Sequence, residues 1–270
     1  MKHIFSKLML LCALLCITGN LTAKEGAYKS FKASIYVRAY EVDKMKDIHW
    51  LDSTWNIISQ QLDVDKVYLE THRDLLIVDD ATLDQAKKFF KKKGIETAGG
   101  ITYTINEANS FETFSYSDPE HRKKVQEIAE HTAKHFDEFI LDDFFFTSCR
   151  CEMCIAAKGK RSWKEYRLDL MEEFSHEIVD LAKSVNPNVN FIIKYPNWYE
   201  SYQETGYDPA SQKDIFDYIY TGTETRDPVN TDQHLPRYLS YSLMTYLEAM
   251  APGRNGGGWF DPFDCRILDY

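Results

Sequence analysis

The chain has 270 residues, of which 44% are hydrophobic and 14% aromatic, and its formal net charge is −10. This length suits one barrel-sized domain, and the acidic balance argues against a general nucleic-acid-binding surface, which needs a basic patch. Only four of the six cysteines lie beyond residue 23, too few for a domain built on a disulfide framework.

The first 23 residues are predicted to be a signal peptide. Lys2 and Lys7 give a positive start before an apolar stretch at 8–17, and cleavage is expected after Ala23. The stretch is short for a transmembrane span, and Cys16 follows two leucines, not the small residues that a lipoprotein signal prefers. We therefore expect an exported protein, periplasmic or extracellular, with a lipid anchor disfavoured, no membrane span and a mature domain at 24–270.

Short apolar runs then alternate with amphipathic helices, which is the pattern of repeated βα units. Strands are predicted at 33–38, 66–70, within 95–105, and at 139–146, 190–194, 215–220 and 256–261. Helices are predicted at 50–62, 80–93, 117–135, 162–184 and 235–250. The pattern predicts an α/β fold, a (β/α)8 TIM-barrel-like domain. Because only seven strands are counted, either the barrel is C-terminally incomplete before its eighth strand, with an exposed sheet edge, or the count is off by one.

The fourth predicted strand, at 139–146, is an apolar run broken by Asp142 and Asp143. Burying a carboxylate without a partner is costly, so this pair is either held by a polar network or placed for chemistry. In a barrel of parallel strands the carboxyl ends of the strands build the active site. Since adjacent strand residues point to opposite faces, we expect only one of the two aspartates to face the centre.

Other strand ends carry further polar and aromatic side chains. These are Glu70, Lys194, Asn197, Trp198, Glu224 and Arg226. Sugar hydrolysis needs one carboxyl to protonate the leaving oxygen and another to attack the anomeric carbon or activate water. Lys194 and Arg38 could hold one carboxylate ionised while a drier neighbour keeps its proton. The alternatives are structural: an aspartate pair bridged to Lys194, a polar loop around Glu70, a turn capped by Glu224, and Trp198 packed on the rim.

The loop after the fourth strand carries Cys149, Cys151 and Cys154 in C-x-C-x-x-C spacing. Three clustered thiolates suit a tetrahedral structural zinc, with Cys265 or a histidine as the fourth ligand. In an exported protein the same residues could instead form disulfides or remain free thiols. Three histidines of the helix at 117–135 are expected to lie at the surface or in packing contacts: His121, His131 and His135.

The aspartate pair followed by the cysteine loop, with the segments 193–199 and 220–228, resembles barrel-type glycoside hydrolases, including glycosidase barrels of gut Bacteroidetes. The cysteine loop is similar to the zinc loop of some barrel β-galactosidases. Glycosidases with a fourth-strand aspartate nucleophile often take the acid/base from a later strand. The resemblance therefore implies Asp143 as nucleophile or charge stabiliser and Glu224 as acid/base, with Asp142 able to exchange roles with Asp143. The chain lacks the Asn-Glu pair typical of the fourth strand in the largest barrel-glycosidase clan.

These observations lead us to expect a glycoside hydrolase-like protein that cleaves O-glycosidic bonds of a glycan with a pair of carboxylates and no catalytic cofactor. The side chains expected to contact the substrate are Glu70, Lys194, Asn197, Trp198 and Arg226. One alternative is a glycan-binding barrel without turnover. Another is a metal-dependent hydrolase such as a deacetylase, although His72 is nearly the only histidine at a predicted strand end.

Overall fold

The computed structural model describes residues 28–224 and 238–259. Its strands are β1 (Ser34–Val37), β2 (Lys66–Arg73), β3 (Leu76–Ile77), β4 (Glu96–Ile101), β5 (Thr104–Asn106), β6 (Glu112–Thr113), β7 (Glu138–Leu141), β8 (Asn190–Tyr195), β9 (Tyr218–Gly222) and β10 (Asn255–Trp259). Its helices are α1 (Ala39–Lys44), α2 (Ile48–Ile58), α3 (Asp80–Lys92), α4 (Pro119–His135), α5 (Glu152–Lys158), α6 (Trp163–Val185), α7 (Tyr202–Thr205), α8 (Pro209–Gln212) and α9 (Leu239–Met250).

The main sheet is parallel and follows the order β1-β2-β4-β7-β8-β9-β10, with the short strand β3 folded back antiparallel onto β2. With helices packed against it, the curved sheet of residues 28–224 and 238–259 resembles part of a barrel, so the predicted α/β barrel-like fold is confirmed. The seven predicted strands correspond to the seven strands of this path. Strands β1 and β10 lie at its two ends, and the rings of Tyr36 and Trp259 approach to 4.8 Å between centroids.

Several helix boundaries follow from capping residues in the sequence. Asp118 accepts a hydrogen bond from the Glu120 backbone and precedes Pro119 at the first position of α4. Ser162 and Glu165 form a capping box at the start of α6. These local signals explain why both helices begin within two residues of their predicted starts.

The fourth strand differs from its prediction. Strand β7 ends at Leu141, and the rest of the apolar run at 142–146 is a turn and loop. The Phe144 amide donates to the Asp142 carbonyl over 2.7 Å, which closes the chain into a tight turn directly after the strand. The apolar run at 139–146 therefore predicts the position of the strand correctly, but the strand is shorter than predicted.

A core of aromatic and aliphatic side chains fixes the strands that carry the site. Phe139 of β7 and Phe191 of β8 are fully buried, with ring centroids 4.2 Å apart. Phe216, just before β9, packs edge-on against Phe191 at 5.4 Å. This packing lies at the amino-terminal ends of β7, β8 and β9 and fixes these three neighbouring strands against one another. Within residues 28–224 and 238–259, no helix combines the length and apolar character needed to cross a membrane. The predicted signal peptide, Arg226 and Cys265 lie outside the described residues.

Candidate active site

Lys194 is the centre of a charged cluster at the carboxyl ends of β7, β8 and β9. Its Nζ lies 3.1 Å from Asp142 Oδ1 and 3.2 Å from Asp143 Oδ2, and it also contacts Glu224 Oε1. The lysine side chain is 2% exposed and Glu224 is 3% exposed, so these charges are almost completely removed from water. Nζ also stands 4.1 Å from the centre of the Trp259 ring, in a cation–π contact.

Both aspartates reach Lys194, so the expectation that only one of them faces the centre is wrong. Strand geometry ends at Leu141, and alternation of side chains ends with it. The Asp142 amide still donates to the Ile101 carbonyl over 2.9 Å, whereas the Asp143 amide turns back to donate to Asp142 Oδ1 over 2.9 Å. This turn brings the second carboxylate round to the same ammonium.

The two aspartates have opposite shifts in pKa. Burial alone would raise the pKa of Asp142, but Lys194 and Arg73 outweigh it and bring that pKa down to about 2. Burial is also the largest influence on Asp143. With the negative charges of Asp142 and Glu224, burial outweighs Lys194 and raises the pKa of Asp143 to about 7. At neutral pH, Asp142 is therefore ionised, and Asp143 exists in both protonation states.

Arg73 fills the charge-stabilising role that the sequence had suggested for Arg38. Arg73 Nη2 lies 3.3 Å from Asp142 Oδ2, and its Nε donates to Glu70 Oε2 over 2.8 Å. Arg38 instead pairs at the surface with Glu41, at 3.2 Å. The difference arises because the side chain of Arg73, the last residue of β2, is buried, whereas the side chain of Arg38 is exposed.

Glu70 lies beneath the cluster and is fully buried. Its Oε1 accepts from Tyr36 Oη over 2.7 Å, and its Oε2 accepts from the Ala39 amide over 2.6 Å as well as from Arg73. The Thr102 hydroxyl also donates to Oε1 and lies 3.2 Å from Asp142 Oδ2. The carboxylate thus holds Arg73 in place, and both of its oxygens already have protein donors.

A cleft of about 260 Å³ opens above the cluster. Its lining residues are Phe111, Asp143, Phe144, Phe146, Asn197, Trp198 and Glu224. Four of the residues predicted from the sequence therefore meet here: Asp143, Glu224, Asn197 and Trp198. Asn197 Nδ2 donates to the Glu224 carbonyl over 2.7 Å, which ties the loop after β8 to the loop after β9.

The aromatic walls of the cleft were only partly predicted. Trp198 is half-buried and meets Phe146 edge-on, with centroids 5.9 Å apart. Phe144 lies 5.6 Å from Phe111, which comes from the loop between β5 and β6. The aromatic run after the aspartate pair was the available signal for Phe144 and Phe146, but it was assigned to the strand.

The three cysteines after β7 form a separate cluster at the start of α5. Their Sγ atoms all lie within 4.8 Å of one another, and the described thiols are free. Cys151 Sγ and Cys154 Sγ are 3.6 Å apart, too far for a disulfide bond of about 2.05 Å. The backbone N–H of Cys154 donates to Cys151 and helps to lower the Cys151 pKa to about 7. Three converging thiols, one easily ionised, suit a metal with sulfur ligands.

The metal-dependent alternative finds little support in the cleft. His72 is fully buried, and its Nδ1 lies 2.7 Å from the Thr102 carbonyl. Burial lowers its pKa to about 4. In the part of the chain that the structure describes, the two groups able to hold a metal are the cysteine cluster and a group on helices α3 and α4, and neither lines the cleft.

A parallel sheet with buried carboxylates gathered at its strand ends is the architecture of barrel glycosidases. The chain belongs to the family described as "Probable glycosyl hydrolase, catalytic domain", whose model matches residues 20–270. It is thus related to the catalytic domains of enzymes that hydrolyse glycosidic bonds.

The individual proteins and structures that match this chain share little sequence identity with it. The chain is 29% identical over 266 residues to an uncharacterized protein of Saccharolobus solfataricus, SSO3021, with 87% of this chain and 43% of that protein covered. It spans less than half the length of that relative. A cold-adapted β-galactosidase from Rahnella sp. R3 superposes with a TM-score of 0.60 at 12% identity, over 83% of this chain and 44% of that one. An exo-β-1,4-mannosidase from an Opitutaceae bacterium gives a TM-score of 0.53 at 12% identity, over 84% and 45%. These two similarities concern the fold alone.

Proposed function

We propose that the chain hydrolyses O-glycosidic bonds of a glycan in the cleft above Lys194, with Asp143 and Glu224 as the reacting pair. The observation that carries this proposal is that these two carboxylates come from different strands, line one cleft and contact the same buried ammonium. The aromatic rings of Phe146 and Trp198 offer apolar faces on which a sugar ring can stack. Asp142 lies beneath the cleft, where it holds Lys194 and Arg73 in place.

The pKa of Asp143 supports a role as general acid. A carboxyl whose pKa is raised to about 7 still carries its proton at neutral pH and can give it to the leaving oxygen. Glu224, in contact with the Lys194 ammonium, would then attack the anomeric carbon. The roles expected from the sequence are the reverse, and kinetics can separate the two assignments.

The spacing of the pair favours retention of anomeric configuration. Glu224 Oε1 lies closer to Lys194 Nζ than Asp143 Oδ2 does, and the latter distance is 3.2 Å. These two carboxylate oxygens are therefore separated by less than twice 3.2 Å. Inverting enzymes need carboxyl groups roughly 6.5–9.5 Å apart, and retaining enzymes about 5–5.5 Å. We propose a covalent glycosyl intermediate on Glu224, later released by water.

Export and a structural zinc complete the proposal. The N-terminal segment has the composition of a signal peptide, which would place the enzyme in the periplasm or outside the cell, where glycans are accessible. A zinc held by Cys149, Cys151 and Cys154 with a fourth ligand would fix the loop that follows the aspartates, without an open position for chemistry. Catalysis by the two carboxylates needs no cofactor.

The test compares Asp143→Asn and Glu224→Gln on a panel that begins with galactosides and mannosides, the substrate classes named for the two similar structures. Each variant should lower kcat on an alkyl glycoside by about a hundredfold or more. On an aryl glycoside whose leaving group needs no proton, Asp143→Asn should recover most of its first-step rate and Glu224→Gln should not. The opposite recovery would exchange the two roles. Full activity of both variants on a confirmed substrate would refute the proposal, and Asp63→Asn, on the exposed surface, is the control.

A second candidate function is glycan binding without turnover. The observation that favours it is that Lys194 contacts both carboxylates and so partly neutralises them. Calorimetric binding and reducing-end release should be measured on the same glycans. Binding with no product from any glycan that binds would favour this second function.

A further inference from the structure

We infer that His131, His135 and Asp80 form a binding site for a divalent transition-metal ion, with Zn²⁺ as the expected occupant. The site joins helices α3 and α4 and lies apart from the residues that line the cleft. His131 and His135 are four residues apart on α4, so their rings project from the same face of the helix. Asp80 is the first residue of α3.

The ligand atoms lie close to the spacing that a tetrahedral ion requires. Asp80 Oδ1 lies 3.0 Å from His135 Nε2 and 3.6 Å from His131 Nδ1, and each of the three side chains offers one ligand atom within 4.8 Å of those of the other two. Metal–ligand bonds of about 2.0–2.2 Å at tetrahedral angles place neighbouring ligand atoms roughly 3.3–3.6 Å apart. Small side-chain adjustments would therefore bring all three atoms onto one ion.

The remaining nitrogen of each imidazole faces an acceptor. His131 Nε2 lies 3.0 Å from the Val78 carbonyl, and it donates its proton there. That bond leaves Nδ1, the atom that faces Asp80, with a free lone pair. His135 Nδ1 points towards Asp84 Oδ1 at 4.0 Å. Carbonyls and carboxylates behind a metal-binding histidine orient the ring in this way and make it a better ligand.

A simple surface ion pair accounts for less of this arrangement. It would explain one histidine beside Asp80, but not a second imidazole nitrogen directed at the same oxygen. The two rings are only 5.1 Å apart between centroids, and their side chains are 19% and 13% exposed. Two nitrogens and one carboxylate oxygen favour zinc over the harder calcium or magnesium ions.

Three protein ligands leave a fourth position for water, and the bound ion would connect helices α3 and α4. The occupied site should therefore stabilise the fold without acting on the glycan. Because this site and the cysteine cluster do not share residues, the inference does not depend on the zinc proposed there.

The test uses chelator-treated full chain titrated with Zn²⁺ and Co²⁺ by calorimetry, elemental analysis and absorption. His131→Gln and His135→Gln should each bind one ion fewer per chain than the wild type, while His176→Gln, exposed on α6, should bind the same number. The cobalt absorption that the wild type shows and these variants lack should contain no sulfur-to-metal charge-transfer band. This difference separates the ion at the histidines from any cobalt held by cysteine. Zinc should raise the melting temperature of the wild type, and this increment should disappear in both variants.

Asp80→Asn keeps the test valid if the histidine variants misfold, because Asp80 is 76% exposed and its loss should leave the fold intact. The Asp80→Asn substitution should weaken metal binding at the site formed with His131 and His135 by at least about tenfold. Unchanged stoichiometry, affinity and zinc-induced melting shift in Asp80→Asn and in whichever histidine variants fold would overturn the inference.

Discussion

The substitution Asp143→Asn should separate catalysis from stability through its dependence on pH. The pKa of this carboxyl is raised from the usual 3.8 to about 7 in the folded protein. The native state therefore binds the proton more tightly than the unfolded chain, and ionisation of Asp143 costs stability as the pH rises. The cost is near zero below about pH 4 and approaches about 4 kcal/mol above about pH 7, at 1.36 kcal/mol per pKa unit.

Asparagine keeps the shape of the side chain but cannot ionise. Relative to the wild type, we expect the unfolding free energy of Asp143→Asn to increase by about 2–3 kcal/mol between about pH 5 and pH 8. Effects of titrating groups away from the Lys194 cluster largely cancel in this difference. Urea unfolding followed by tryptophan fluorescence across that pH range gives the measurement. The same series on Asp63→Asn, at an exposed position, should show no comparable growth.

The result that would refute this reasoning is a pair of parallel stability curves for wild type and Asp143→Asn. Parallel curves would mean that the pKa of Asp143 in the folded protein is not raised above its value in the unfolded chain, despite its burial beside two carboxylates. If Lys194 dominated the site and held Asp143 ionised, the curves would be parallel between about pH 5 and pH 8, and the wild type would lose stability relative to Asp143→Asn only as the pH fell below about 5. Either outcome would also remove the support for Asp143 as the proton donor.

Three further predictions concern the surroundings of the carboxylates. Lys194→Met should lower the unfolding free energy by about 3–5 kcal/mol, because buried carboxylates lose their counter-ion. Lys213→Met breaks a surface pair with Asp214 and should cost less than about 1 kcal/mol in the same denaturation assay, so equal losses would contradict the cluster's burial. Metal-replete Cys151→Ser, purified under reducing conditions, should contain about one zinc per chain less than wild type by elemental analysis; a disulfide found by mass spectrometry in the wild type would count against this. Gly222→Ala would place a methyl group 2.8 Å from the Tyr195 carbonyl and 2.7 Å from Glu224 Oε2, so kcat should fall at least about tenfold. Gly258→Ala, whose added methyl group would have its nearest contact at 3.4 Å, should keep the wild-type kcat. An unchanged kcat in Gly222→Ala would contradict the placement of Glu224.

The fold was largely predictable because its signals are local. Apolar runs locate the strands, and residues such as Asp118 and Ser162 mark helix starts through hydrogen bonds made within three residues. The limits appear where a strand ends inside an apolar run. Nothing in the phenylalanines after Asp143 distinguishes a continuing strand from a turn lined by aromatic side chains. The length of the fourth strand, and with it the direction of the aspartates, depended on contacts between distant segments.

The candidate site was likewise predictable only in part. Asp143, Glu224, Asn197 and Trp198 follow predicted strands, and strand order brought them to one cleft. Tyr36 and Thr102 are more difficult to find, because each is an ordinary strand-end residue until β1, β2 and β4 are aligned. The choice between Arg38 and Arg73 likewise depends on which of two similar side chains turns inward, and sequence spacing does not encode that direction.

The late position of Trp259 in the sequence bears on when, during protein synthesis, the charged cluster around Lys194 loses its water. Lys194 and the three carboxylates that contact it are present once the chain has been made as far as Glu224, whereas the aromatic face beside the lysine belongs to β10. The same ring meets Tyr36, which leaves the ribosome more than two hundred residues earlier. We expect a nascent chain to keep these charges hydrated until β10 docks, so that their dehydration coincides with the contact between the first and last strands of the sheet. Emission from Trp259 would then report that moment during folding.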